Sequence, residues 1–138
     1  MKKLLSLLVA LTCATSMFAE DVEANINGII YKLDDQTMTA TIIDQEHHCD
    51  DVLVIPETID YDDQEYTVTT IEAFAFKDCH NMTSVTIPHS IEWIGDYAFQ
   101  LCDGLTSVTI PEGVTSIGEY AFYNCSGLAS VTIPEGVT

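Results

Sequence analysis

From Asp50 onward, apolar and polar residues alternate in short bursts that end at a proline. Ser107-Val108-Thr109-Ile110-Pro111 is such a burst. Period-two alternation is the pattern of a half-buried strand, so Val108 and Ile110 face inward and Ser107 and Thr109 outward. Pro111 cannot donate to a strand ladder and ends the strand. Val114-Thr115-Ser116-Ile117, with polar residues between apolar ends, predicts a second short strand. Gly118 turns the chain. Tyr120 to Cys125 then suits a single helical or 3₁₀ turn, with Ala121 and Phe122 in the core. Gly127 permits the turn into the next strand.

The whole pattern recurs every 23 residues. Gly104 to Pro111 returns as Gly127 to Pro134 and is preceded by Asn81 to Pro88. Ile94, Gly95, Tyr97, Ala98, Phe99 and Cys102 map onto Ile117, Gly118, Tyr120, Ala121, Phe122 and Cys125. Ile71, Ala75, Phe76 and Cys79 stand one step earlier. In the first copy, Pro56 and Pro88 are 32 residues apart, a surplus of nine. The surplus lies between Ile59 and Val68, where Tyr61-Asp62-Asp63-Gln64-Glu65-Tyr66, with aromatic ends and a polar middle, predicts a short hairpin protruding from one coil. A unit of this length cannot bury its own apolar face. Stacking on neighbours supplies the core, in rows of Leu/Met, Val, Ile, Phe and Cys.

Leu105-x-x-Val108-x-Ile110-Pro111, Ile117-Gly118-x-x-Ala121-Phe122 and Cys125-x-x-Leu128 stand here in order. Together they resemble the repeat unit of BspA-like leucine-rich repeat proteins (leucine-rich repeat type 5), over about residues 50–138. Ile26 to Leu33, followed by Thr39 to Ile42, resembles the strand pair that often opens such proteins. The resemblance implies a repeat solenoid of the leucine-rich-repeat type. Its 23-residue coils are mainly short parallel β-strands with short helical or 3₁₀ turns. It implies surface-exposed or secreted proteins, typically bacterial or from mucosal protists, that act in adhesion or protein binding. It brings no shared catalytic residues. Such proteins usually have more repeats, whereas this chain stops at Thr138 in a fourth unit. Strand Ser130–Ile133 is therefore expected to present an unpaired edge. The readings are a truncated product, a fragment, or end-to-end self-association through the uncapped coil.

The organisation expected is a signal peptide over 1–19, an N-terminal capping strand segment over 20–49, and repeats over 50–138. The repeats comprise one interrupted, two complete and one truncated coil. Lys2 and Lys3 form a positive n-region, and Leu4 to Leu11 an apolar stretch too short to span a bilayer. Cleavage is expected after Ala19, where the sequence turns abruptly acidic. Lipidation at Cys13 is the alternative. No membrane span is expected.

Formal net charge is −18. All 22 acidic residues lie after Ala19, where only Lys32 and Lys77 remain to oppose them. Such a surface repels phosphate backbones and anionic membranes, so nucleic acid is excluded as a partner. Basic partners, or partners bridged by divalent cations, stay open.

Cys79, Cys102 and Cys125 fall one per coil and are expected to be free, buried, small apolar residues. A Cys49–Cys79 bridge is the alternative. His47-His48-Cys49-Asp50-Asp51 has none of the usual zinc spacings and reads as a polar loop. Asp60, Asp62, Asp63 and Glu65 lack the glycine and terminal glutamate of a calcium loop and read as solvated. No metal and no cofactor are expected. Neither a nucleophile elbow, a P-loop nor a zinc-protease motif is present, and a surface hydrolase has no constellation to rest on.

The candidate binding residues lie on the strand faces. Ser84, Ser107 and Ser130 form one outward row, and Thr86, Thr109 and Thr132 the next. Trp93 shares a slot with Thr70 and Ser116 and is expected to project outward or to pack over the hairpin against Tyr61 or Tyr66. The function expected is non-catalytic binding of an extracellular protein or glycan, by a secreted or cell-surface protein. The alternative is a structural spacer, or one piece of a larger adhesin with no binding face of its own.

Overall fold

The computed structural model describes residues 21–46 and 49–138. The signal peptide, Cys13, His47 and His48 lie outside them. Three strands open the fold: β1 (Val22–Ile26), β2 (Ile29–Asp34) and β3 (Thr39–Gln45). Asn27 and Gly28 form the two-residue loop between β1 and β2, at φ 53° and 82°. Two positive φ angles make the turn whose twist matches a hairpin, and Asn-Gly is the pair that tolerates it best. Asp34 shapes the next turn, its carboxylate accepting the amides of Gln36 and Thr37 at 2.8 and 3.1 Å. Those bonds hold its carboxyl below the usual range.

The repeats follow. β4 (Val52–Val54), β7 (Ser84–Thr86), β9 (Ser107–Thr109) and β11 (Ser130–Thr132) form one sheet, paired parallel in the order β4-β7-β9-β11. β6 (Gln64–Ile71), β8 (Trp93–Ile94) and β10 (Ser116–Ile117) continue the first sheet from β3, again in parallel. β5 (Thr58–Tyr61) pairs antiparallel with β6, making the hairpin expected at Tyr61–Tyr66. Its tip, Asp62-Asp63, takes φ 49° and 62°, the same two-residue solution as Asn27-Gly28.

Between the sheets lie the rows that the repeat predicts. Phe76 stacks on Phe99 and Phe99 on Phe122, each at 5.3 Å. Met82 and Leu105, Val85 and Val108, Ile87 and Ile110, Ile71 and Ile94, and Ala75, Ala98 and Ala121 are all buried. The coils approach closely enough to dictate glycine. A Cβ on Gly95 would stand 2.4 Å from the backbone nitrogen of Ala73, and one on Gly118 2.4 Å from that of Asp96.

Two expectations are corrected. The segments Phe74–Asp78, Tyr97–Leu101 and Tyr120–Asn124 form tight turns, not helical or 3₁₀ ones. Both end residues of each segment have positive φ, between 55° and 64°. That conformation turns alternate amides along the stack. Phe74, Phe76 and Asp78 donate to the carbonyls of Asp96, Ala98 and Gln100, at 3.1, 2.8 and 2.8 Å. Tyr97, Phe99 and Leu101 repeat this on Glu119, Ala121 and Tyr123. Bonding to the next coil replaces bonding within a helix.

The second correction concerns Cys79. It is bonded to Cys49, with Cα atoms 5.4 Å apart. Cys49 reaches it from the segment before β4, not from an equivalent place in a stacked coil. Its Cβ is therefore free of the parallel direction that forbids bridges within the row. Cys102 and Cys125 are free and buried, as expected.

Replacing Gly95 with Ala should destabilise the fold by about 1–3 kcal/mol, the usual range for overpacking against backbone that cannot yield. Urea denaturation followed by circular dichroism measures it. An unchanged midpoint would mean that the coils do not approach as closely as described.

Candidate functional site

The hydroxyl rows align as expected. Ser84 pairs with Ser107, and Ser107 with Ser130; Thr109 pairs with Thr132. Thr86 stands opposite Val54 of β4, as Ser84 stands opposite Val52. Every inward partner along these strands is apolar, which fixes Ser and Thr on the outer face.

A second set of threonines shows the contrast. Thr83 donates its hydroxyl to the carbonyl of Asp51 at 2.8 Å, and Thr115 to that of Glu92 at 3.1 Å. Thr106 and Thr138 do the same to Thr83 and Thr115, at 3.4 and 3.1 Å. These hydroxyls clamp one coil to the last. Among the described residues, the hydroxyls of Ser84, Thr86, Ser107, Thr109, Ser130 and Thr132 have no such partner.

Trp93 pairs with Thr70 and Ser116, in the slot expected, and is 39% exposed. It belongs to the other sheet, so the structure does not bring it together with the Ser and Thr rows. Tyr66 is buried, and its hydroxyl donates to Asp35 at 2.5 Å. Burial first, then that carboxylate, pushes the phenol up to about 12.

Two surface features escaped the sequence reading. Phe74, Tyr97 and Tyr120 stack at 5.2 and 5.1 Å along the turns, with the Lys77 ammonium 5.8 Å from the Phe74 ring centre. The 23-residue spacing of these rings was the available signal. Val52 and Val54, 59% and 64% exposed, head the Ser and Thr rows. The match of Val52–Pro56 to Ser84–Pro88 already placed them at outward slots.

Among the described residues, no three His, Cys, Asp or Glu side chains converge to hold a metal ion. Nor is any helix there long and apolar enough to cross a membrane. Cys102 donates its thiol to the Phe76 carbonyl at 3.2 Å, and Cys125 to that of Phe99 at 3.0 Å. Burial, with smaller help from Cys125, pushes the Cys102 thiol up to about 12; burial also raises Cys125. Thiols held in this way are poor nucleophiles.

Two parallel ladders, repeated at 23-residue intervals over rows of Leu, Val, Ile and Phe, define a leucine-rich repeat protein. Comparison with family models gives the particular kind. The BspA type leucine rich repeat region (6 copies) matches residues 58–138, and the chain belongs to that family. A leucine-rich repeat protein of T. pallidum has a similar structure, with a TM-score of 0.73 and 26% identity. The match covers 85% of this chain and 52% of that one, so this chain spans about half its length. A leucine-rich repeat protein from Bacteroides capillosus superposes with a TM-score of 0.64 at 23% identity, over 81% of this chain and 98% of that one. A leucine rich cell surface protein from Faecalibacterium prausnitzii gives 0.51 at 23% identity, over 87% and 45%. A search of curated proteins found no match.

The raised thiol makes a pH prediction. Below the ordinary value of 9.0 the Cys102 thiol is protonated whether the chain is folded or not. Above it the unfolded chain loses the proton first. Stability should therefore fall as pH rises from about 9 towards 12, and Cys102→Ala should flatten part of that fall. In parallel, iodoacetamide followed by peptide mapping at pH 8 should label Cys102 and Cys125 far more slowly in the native chain than in urea. Equal rates would contradict their burial.

Proposed function

We propose that this chain is the repeat solenoid of an exported, cell-surface protein that binds an extracellular protein or glycan and catalyses no reaction. The observation that carries this reading is the contrast between two sets of hydroxyls. Thr83, Thr106, Thr115 and Thr138 are used up in joining coils. Ser84, Thr86, Ser107, Thr109, Ser130 and Thr132 are held in register on an outer face, with donors and acceptors unspent. A rigid array of this kind loses little entropy when a ligand bonds to it. Trp93, on the other sheet, is a separate candidate anchor of the type that dominates binding surfaces.

Location outside the cell is supported by the leader-like first 19 residues and by relatives of similar fold. One is described as a cell surface protein and another as the pneumococcal vaccine antigen PcpA. A high thiol pKa and the lack of a catalytic motif support the non-catalytic reading. The acidic surface weighs against nucleic acid and anionic lipid.

The test is a panel of purified extracellular-matrix proteins and immobilised glycans, read by surface plasmon resonance. Ser107→Arg with Thr109→Arg places two bulky cations in the middle of the array and leaves Val108 and Ile110 untouched. At least one ligand should bind the native chain and lose about tenfold or more in affinity, roughly 1.4 kcal/mol, in the double variant. A ligand bound equally by both would show that the strand face is not the site.

A further inference from the structure

One end of the repeat stack is closed on one sheet and open on the other. β1, β2 and β3 continue the first sheet past β6, so its first coil has a neighbour. Among the described residues, the second sheet ends at β4, whose partner is β7. The carbonyl of Asp51 accepts from Thr83 and Ser84 at 2.7 and 3.3 Å, and Ile55 donates to Thr86 at 3.1 Å. Backbone direction alternates along a strand. The amides and carbonyls of Val52 and Val54 therefore face the other edge, where no described strand meets them.

That edge borders a groove of about 210 Å³ between β4 and the β1–β2 hairpin. Ile26 and Ile29 line it on the hairpin side, and Val52, Val54 and Pro56 on the strand side, with Asp50 at one end. The following coils carry Ser and Thr at the outward slots; only β4 carries valine there, largely exposed. Natural sheets usually blunt a free edge with a very short strand, with lysine or proline, or with a bulge. β4 is short, three residues, but carries no lysine, proline or bulge. Instead it combines free backbone groups, aliphatic side chains and an acidic start at Asp50 and Asp51.

We propose that β4 takes up a strand from a partner polypeptide, an extended basic segment with aliphatic side chains at alternate positions. The occupant is a polypeptide and not a glycan, because alternating amides and carbonyls pair with another backbone. Its aliphatic side chains lie beside Val52, Val54, Ile26 and Ile29. Its basic residues answer Asp50, Asp51 and the net charge of −18. The inference rests on the reading of the chain as a binding protein but uses the backbone edge of β4, at the head of the hydroxyl rows, and not the hydroxyls themselves.

The test uses the full chain and a fluorescent peptide of alternating lysine and valine, with anisotropy as the readout. Two control peptides replace lysine by glutamate, or carry N-methyl groups on alternate amides. The native chain should bind the first peptide, and both controls about tenfold or more weakly. Val54→Pro removes an outward amide and should cause a similar loss. Val52→Lys with Val54→Lys keeps the backbone, repels the peptide, and covers the case in which the proline variant fails to fold. The Ser107→Arg, Thr109→Arg variant should bind the peptide normally, which separates this surface from the strand face. Equal binding of the N-methylated peptide would reduce the effect to charge attraction and overturn the proposal. So would no binding at all, or dimerisation of the chain abolished by Val52→Lys with Val54→Lys without peptide binding, which would make a second copy the occupant.

Discussion

The structure depends on backbone bonding between coils. Within a coil the backbone bonds close only short turns, such as Lys77 to Phe74 and Leu105 to Cys102, and the remaining bonds run to the next coil or the last. Thr106 donates to Thr83 and Ala129 to Thr106. Phe76 donates to Ala98 and Phe99 to Ala121. A buried amide left unpaired costs about 1–3 kcal/mol, so neighbouring coils cannot slip past each other. Glycine at 95 and 118 follows from the closeness this requires. So does the positive φ at both ends of each turn, which L-residues accept only because the bonds along the stack repay it.

Fixed register turns a chemical choice made once into a row. Inward, it stacks phenylalanine on phenylalanine and places each buried thiol under the carbonyl of an earlier coil. Outward, it sets serine beside serine and threonine beside threonine. The informative positions are those where a row breaks. Cys79 leaves the thiol row to bond Cys49, tying the N-terminal strands to the first repeat. Closing a loop with a sequence separation of 30 restricts the unfolded chain. Val52 and Val54 break the hydroxyl rows at the β4 edge of the second sheet, where no described strand follows.

Most of the repeat region was legible because period-two alternation and the 23-residue spacing point to the same strands. Val108 and Ile110 inward, the hairpin at Tyr61–Tyr66 and the shared slot of Thr70, Trp93 and Ser116 all stand as read. The turns misled because Tyr120 to Cys125 holds no glycine or proline to break a helical turn, and local sequence says nothing of a bond to the next coil. β1 went unseen although Asn27-Gly28 is a strong hairpin signal; Ile26 to Leu33 read as one strand across it. The disulfide was beyond the repeat pattern, since Cys49 lies outside any coil. The candidate site was legible only as rows: the spacing placed Ser and Thr outward, but not which threonines are spent between coils.

The central claim is that coils stack in strict 23-residue register, and nuclear Overhauser contacts test it most directly. In isotopically labelled protein, the backbone protons of Val108 should contact those of Val131, and the Phe99 ring should contact those of Phe76 and Phe122. Contacts at any other spacing, or their absence between neighbouring coils, would contradict the account.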